Sequence, residues 1–338
     1  MYNGYGGGIL PKDFVAKLNG FSRYLLTPHA NPDADAIGAT LGLAWHLRSL
    51  GKEVRIIVSP ALPDFLKFLD EEGWIETYDP DMHRHIAAWP DCWVMLDAND
   101  HFRLGPLNNE FLATKASRGC IDHHLHGKTE DFDFFYIDPL ASSTSEVVAR
   151  TIGHLKDIGK GAAQALYAGI VDDTGNFRYA GTTADVLRLA ADLMECGAQP
   201  DVVSRGLYSQ GTLAKMRITG VAIERMRLFS DDRLAVMAVT LSDLEAVGAG
   251  HDDLEGLVVK PLELRSAEVS ILVYERRDSG VRVSMRSKSC VDVNAVCRHF
   301  GGGGHRLASG ALFSETIESV LDQVIPVTIA QIKQDAKP

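Results

Sequence analysis

The segment His29-Ala30-Asn31-Pro32-Asp33-Ala34-Asp35-Ala36-Ile37-Gly38 sets one imidazole and two carboxylates close together in the chain. Three later segments carry the same groups. The apolar run Trp93–Leu96 ends in Asp97, the run Gly119–Ile121 ends in Asp122-His123-His124, and a helical stretch ends in Asp172-Asp173-Thr174-Gly175. Carboxylates brought together without a cation repel and raise one another's pKa, so acids delivered to one place require positive charge. Oxygen and imidazole donors without a thiolate suit Mn²⁺ first, then Mg²⁺, with Co²⁺ or Zn²⁺ as substitutes. Two such ions ~3.5–4 Å apart clamp an in-line displacement at phosphorus. His29, Asp33, Asp35, Asp97, His123 and Asp173 are therefore expected to converge, with Asp97 as the bridging carboxylate.

Convergence needs elements that end at one rim. Tyr24–Leu26, Val54–Val58, Trp93–Leu96 and Gly119–Ile121 are short continuous apolar runs, as in strands covered on both faces of a parallel sheet. Ala36–Leu50 follows the first run with apolar residues at helical spacing, and Asp33 and Asp35 lie near its amino end, where the helix dipole favours negative charge. In an open α/β sheet the carboxyl ends of the strands line one crevice, and ligands bind there. Further helices are expected over Ser145–Leu155, Ala162–Val171 and Thr183–Cys196. Residues 196–230 read as a helical connector, with Leu207, Leu213, Met216 and Val221 as its buried positions. Strands resume at Leu234–Thr240, Val269–Tyr274 and Val281–Met285, and a last helix spans Glu315–Lys333. The expected fold is α/β: a mostly parallel amino-terminal sheet with flanking helices over 1–195, the connector, and a smaller α/β domain over 231–338.

A chain of 338 residues exceeds one usual core, which agrees with two domains. The net charge of −11 argues against coating long duplex DNA, which takes a broad cationic surface. Residues 260–306 are the exception, with nine Lys/Arg against five Asp/Glu; the remainder carries −15. A basic segment on an acidic body suits a small anion or a short nucleic acid. The five cysteines form no CxxC pair and read as reduced, mostly buried thiols. No apolar run nears the ~20 residues of a membrane span, and the start resembles no signal peptide, so a cytoplasmic enzyme without a membrane partner is expected.

These motifs resemble the DHH phosphoesterase superfamily: HANPDADAIG at 29–38, LDAND at 96–100, IDHH at 121–124 and DDTGNFRY at 172–179. VSMRSK at 283–288 and VNAVCRHFGGGGHRLASG at 293–310 resemble the DHH-associated carboxy-terminal domain. The architecture is most similar to the stand-alone nanoRNase/pAp-phosphatase (NrnA-like) group. The resemblance implies one metal on His29, Asp33 and Asp97 and a second on Asp35, Asp97, His123 and Asp173. It sets His124 beside the substrate phosphate, with Asp122 behind it orienting an imidazole; Asp172 is not counted as a ligand. It implies hydrolysis of short oligoribonucleotides and dinucleotides to mononucleotides, with pAp 3′-phosphatase activity in addition, by a homodimer. Two alternatives stand beside it. One is a cyclic di-adenylate or pApA phosphodiesterase, and the other is a nucleotide- or RNA-binding sensor with an inactive metal site.

The basic segment is expected to hold the substrate's terminal phosphate. Gly302, Gly303 and Gly304 allow close backbone approach, and their amides with His305 form an anion nest. Arg286 can grip a phosphate bidentately, with Ser284 on the same strand face. Arg103 and Arg178 are further phosphate-neutralising candidates. Phe177 and Tyr179 read as core residues, and His83 and His85 as solvated helix residues.

Overall fold

The computed structural model describes residues 11–125, 127–277 and 280–335. The chain divides into two compact units, residues 1–210 and 211–338.

The first unit is built on six strands: β1 (Arg23–Pro28), β2 (Glu53–Val58), β3 (Ile75–Thr77), β4 (Cys92–Leu96), β5 (Ser117–Asp122) and β6 (Phe134–Ile137). All pair in parallel, in the order β3-β2-β1-β4-β5-β6. The apolar runs are its central strands, buried on both faces as their unbroken composition requires. β3 and β6, absent from the sequence reading, lie at the edges and are short; neither carries a long apolar run.

Helices flank the sheet: α1 (Pro11–Leu18), α2 (Ala34–Ser49), α3 (Asn108–Ala113), α4 (Thr144–Ile152), α5 (Gly159–Asp173), α6 (Ala184–Glu195) and α7 (Pro200–Tyr208). One core lies under α2, α4 and α5, and a second, around Trp93 and Phe111, lies on the opposite face. At Gly38 and Gly42 a Cβ would come within 2.4 Å of Ala165 O on α5 and of Leu166 Cδ2. Glycine at these positions lets α2 and α5 lie side by side.

The second unit holds α8 (Leu213–Glu224), β7 (Arg227–Phe229), β8 (Leu234–Val239), α9 (Leu241–Val247), β9 (Val269–Glu275), β10 (Val281–Ser287), α10 (Val293–His299), β11 (Gly303–His305), β12 (Ala308–Phe313) and α11 (Ile317–Asp335). Its sheet runs β11-β12-β10-β9-β8-β7, with only β8 and β9 parallel. Alternation decides what each face meets. Val281, Val283 and Met285 join the core with α10 and α11, while Arg282, Ser284 and Arg286 point the other way.

The stretch 196–230 is not one connector. Val203 of α7 packs in the first unit's core, and Ile218 and Ala222 of α8 pack in the second's. Leu213 and Met216 are exposed, contrary to expectation, because the i, i+4 pair Ile218 and Ala222 defines the face of α8 that turns inward. His83 is also a correction: it is buried, with Nε2 3.3 Å from the Glu76 carboxylate, because its segment folds back on β3. His85 is exposed. All five cysteines are free thiols.

Candidate metal centre

Strand winding reverses between β1 and β4, where the neighbouring carboxyl ends open a crevice. Register does the rest. Pro28 pairs with Leu96, and Leu96 with Ile121, so the next residues of the three strands, His29, Asp97 and Asp122, stand side by side.

His29 is buried. Its Nδ1 lies 2.9 Å from the Ala30 carbonyl, and its Nε2 lies 3.4 Å from Asp97 Oδ2 and 3.8 Å from Asp33 Oδ2. With Nδ1–H donated to the backbone, the Nε2 lone pair faces the two acids, as in metal-ligating histidines. Asp33 caps α2, its Oδ1 accepting from Ala36 N at 3.0 Å. The loop around it is tied by Ala30 N donating to Arg103 O (2.6 Å) and Asn31 N to Ser59 O (2.9 Å). Asp97 adopts a left-handed backbone (φ +61°), unusual for a non-glycine residue, while its N–H continues the ladder to Ile121 O.

Asp35, in the first turn of α2, has no solvent exposure. Its Oδ2 accepts from Thr144 N at 2.6 Å and its Oδ1 from Ser145 N at 2.8 Å, so the carboxylate sits on the amino terminus of α4. Thr144 Oγ1 donates to Asp97 Oδ1 at 2.7 Å. Gly169 on α5 clears the space behind: a Cβ there would lie 2.0 Å from Ser145 Oγ and 2.7 Å from Asp35 Oδ1.

His123 Nε2 lies 3.1 Å from Asp173 Oδ2 and 3.8 Å from Asp97 Oδ1, and its Nδ1 faces the Ala141 carbonyl at 3.3 Å. The donor atoms of His29, Asp33 and Asp97 all lie within 4.8 Å of one another, as do those of Asp35, His123 and Asp173. Asp97, His123 and His124 form a third such group.

The electrostatics ask for cations. Burial pushes the Asp35 carboxyl well above the usual range, and Asp97 and Asp173 push it further. Asp97 is raised as well, first by burial, against the pull of His29. Burial lowers His29 and His123, yet their hydrogen-bonded acids (Asp33 and Asp97; Asp173) override it and hold both imidazoles at about 10. Asp33 goes the opposite way: His29 and Ala36 N–H outweigh its burial and lower it. Protons on buried acids and on metal-type histidines are what surplus negative charge gathers when no metal is bound, so the donor set fits divalent cations.

Asp122 is buried, with Oδ1 accepting from His123 N (2.8 Å) and His124 Nδ1 (2.7 Å). It raises the pKa of His124, which is the half-exposed imidazole of the pair. Sequence reasoning missed several supports. Asn99, inside the LDAND segment, donates from Nδ2 to His124 O at 2.9 Å. Ser143-Thr144-Ser145-Glu146 caps α4 and carries the Asp35 cradle; its Ser-x-x-Glu pattern was the available signal. Asp172 Oδ2 accepts from Ala34 N, and burial, then Asp33 and Asp173, raise it to about 7.

Arg103 is exposed on the 3₁₀ segment whose carbonyl holds the His29 loop. Arg178 is exposed, its Nε donating to Gly175 O. Phe177 packs against the core, whereas Tyr179 is exposed with its ring lying where a Cβ on Gly175 would fall.

In the second unit, Ser284 pairs with Gly310, which pairs with Gly303; Arg286 pairs with Ala308, which pairs with His305. Ser284, Gly303, Arg286 and His305 thus share one sheet face. The glycine run departs from the expected nest. Gly303–His305 is an edge strand, and a Cβ at Gly302 or Gly304 would strike Gly310 O (2.3 Å) or Ala308 O (2.6 Å). Those two glycines serve strand pairing, and of the three expected at the nest Gly303 alone has open space where a Cβ would lie.

The DHH family N-terminal domain matches residues 23–170, and the DHHA1 domain matches residues 232–334. The chain is 32% identical over 310 residues to the bifunctional oligoribonuclease and PAP phosphatase NrnA of Thermus thermophilus, covering 89% of this chain and 88% of that one. This chain belongs to the DHH family. NrnA of Bacillus subtilis is 28% identical over 88% of the DHH chain and 92% of its own length. The cyclic-di-AMP phosphodiesterase PdeA of Listeria monocytogenes is 26% identical, but the DHH chain spans only 45% of it. Among solved structures, an exopolyphosphatase-related protein from Bacteroides fragilis superposes with a TM-score of 0.90 at 28% identity, covering 96% of both chains. Among the described residues no helix of this DHH protein is long and apolar enough to cross a membrane.

Proposed function

We propose that this protein is a two-metal phosphoesterase that hydrolyses short oligoribonucleotides to mononucleotides and removes the 3′-phosphate of pAp. The observation that carries the reading is the meeting of His29, Asp33 and Asp97 with Asp35, His123 and Asp173, two donor sets joined through Asp97. The names of the NrnA relatives, which match the DHH chain nearly end to end, support the substrate class. The first set would hold one divalent cation and the second, with Asp97, another; Mn²⁺ suits the donors best, ahead of Mg²⁺, Co²⁺ and Zn²⁺. When bound, the pair supplies Lewis acidity, an activated water and a clamp on the phosphate.

The chain's own residues do the rest. Thr144 Oγ1 and the amides of Thr144 and Ser145 fix Asp97 and Asp35, so the donors need no reorganisation. Asp122 keeps a proton on His124 Nδ1, which orients the ring. His124 Nε2–H then hydrogen-bonds the phosphate or protonates the leaving oxygen. Ser284, Arg286, Gly303 and His305 offer the substrate's other phosphate a cationic face, and Arg103 offers charge beside the His29 loop. A homodimer is the expected assembly, and sedimentation measures it.

The test is a panel of RNA dimers, 5-mers, long RNA, pAp, pApA and cyclic di-adenylate assayed with Mn²⁺. Dimers and pAp should turn over fastest, and Asp35→Ala should abolish both activities. A preference for cyclic di-adenylate moves the protein to the phosphodiesterase class. No Mn²⁺-dependent hydrolysis of any substrate leaves a binding sensor.

A further inference from the structure

The helices that carry Asp35 and Asp173 to the metal centre enclose a pocket of about 220 Å³ near their opposite ends. Trp45 stands ten residues beyond Asp35 on α2, ~15 Å along the axis, and Gln164 stands nine residues before Asp173 on α5. Trp45, Phe68 and Trp74 form the pocket's aromatic wall. Two glycines seat that wall: a Cβ at Gly161 would lie 2.5 Å from the Trp45 indole, and one at Gly206 would lie 2.2 Å from the Phe68 ring. Trp74 lies 4.6 Å from Trp45 between ring centroids, and the Arg48 guanidinium sits 4.0 Å over the Trp74 ring. All three rings pack against the core yet stay partly exposed, so the wall is fixed before any ligand arrives.

Gln164, also in the lining, is only 7% exposed. Its Oε1 accepts from Gln199 N at 2.8 Å, which sets the amide and leaves the Nε2 donor buried without a partner. A buried donor left unmet is costly, and a ligand acceptor recovers that cost. At the rim Asp70, Glu71 and Glu72 outnumber Lys160. Asp70 is spent on its own turn, accepting from Trp74 N and Ile75 N, whereas Glu71 and Glu72 are exposed.

These features select one ligand chemistry. The aromatic wall takes a planar apolar body. Gln164 Nε2–H requires an acceptor such as a ring nitrogen. The carboxylates accept from an amine and repel a phosphate. The volume lies below the ~300–1,000 Å³ of drug-sized sites, which suits a body about the size of one base. We propose that this pocket binds an unphosphorylated, amino-substituted heteroaromatic base, free or as its nucleoside, separately from the metal centre. Gln164 donates to the ring nitrogen, and the Glu71–Glu72 rim accepts from the exocyclic amine. The site does not depend on which phosphate ester the metal centre cleaves.

The experiment is calorimetry on the full chain in chelator, with adenosine, AMP and benzylammonium as probes. The wild type should bind adenosine saturably, about fivefold more tightly than AMP. Gln164→Glu keeps an oxygen for Gln199 N–H but removes the donor, so adenosine affinity should fall about tenfold while Tm stays near that of the wild type. The double variant Glu71→Gln/Glu72→Gln changes only the exposed rim, and AMP should gain about fivefold relative to adenosine. His124→Ala and Arg286→Ala should leave adenosine affinity unchanged; a loss in either places the ligand at the proposed substrate site and overturns the proposal. So does an absence of saturable adenosine binding, or AMP or benzylammonium binding as tightly as adenosine. A folded Gln164→Glu with wild-type affinity also overturns it. If Gln164→Glu fails to fold, the AMP-to-adenosine ratio of the rim variant decides.

Discussion

Replacing Gly169 with alanine puts one methyl group behind the candidate metal centre without replacing any donor residue. The new Cβ would lie 2.0 Å from Ser145 Oγ and 2.7 Å from Asp35 Oδ1, short of ordinary contact by about 1.4 Å and 0.7 Å against a 3.4 Å limit. Neither neighbour can retreat alone. Both are fully buried, and Asp35 is bonded to the Thr144 and Ser145 amides, so α4 and the carboxylate must shift together. Overpacking of this kind costs about 1–3 kcal/mol, which leaves the domain folded with Tm lowered by several degrees. A displacement near 1 Å of a catalytic donor costs about 10²-fold in rate. The assay is kcat/KM for diadenylate across a Mn²⁺ titration, with Tm measured in parallel. Gly220→Ala is the control: its Cβ meets nothing within 4 Å on exposed α8, so Tm should hold or rise with activity unchanged. If Gly169→Ala keeps wild-type kcat/KM and Mn²⁺ dependence, Asp35 is not positioned as argued.

Thr144→Val removes the hydroxyl that donates to Asp97 Oδ1 at nearly constant volume, and kcat should fall roughly tenfold while Tm moves by only a few degrees. In the metal-free protein His29 and His123 hold protons up to about 10, so binding must displace them. Mn²⁺ affinity measured by calorimetry should therefore rise steadily from pH 6 to 9, with proton release visible as buffer-dependent heat; a flat profile contradicts the ligand assignment. Asp122→Asn withdraws the carboxylate that raises His124, so the alkaline limb of kcat/KM should move to lower pH, and an unmoved limb removes His124 as the proton donor.

Much of this molecule was legible before folding because its central strands are buried on both faces and therefore unbroken in sequence. β1, β2, β4 and β5 announce themselves as apolar runs, and β1, β4 and β5 each lead into a group of the site. Five of the six expected donors follow those strand ends and Asp173 closes α5, so each motif was readable locally, and the parallel register then sets the ends side by side. Edge elements escaped for the complementary reason. β3, β6 and β11 are three or four residues long, and their identity comes from the strand they pair with.

Sequence by itself determined which chemical groups exist and which element ends carry them: two imidazoles and three carboxylates after runs with parallel-sheet composition, and Asp173 at the end of a helix, with no thiolate among them. Tertiary structure alone decided what holds those groups. The Thr144 and Ser145 amides on Asp35, the Ala141 carbonyl on His123, and the vacancy at Gly169 are contacts between segments separated in the chain. Tertiary structure also turned Gly302 and Gly304 into pairing residues, since a close approach has meaning only once β12 lies alongside. Residue type and spacing record local chemistry, whereas register and helix packing exist only when distant segments meet.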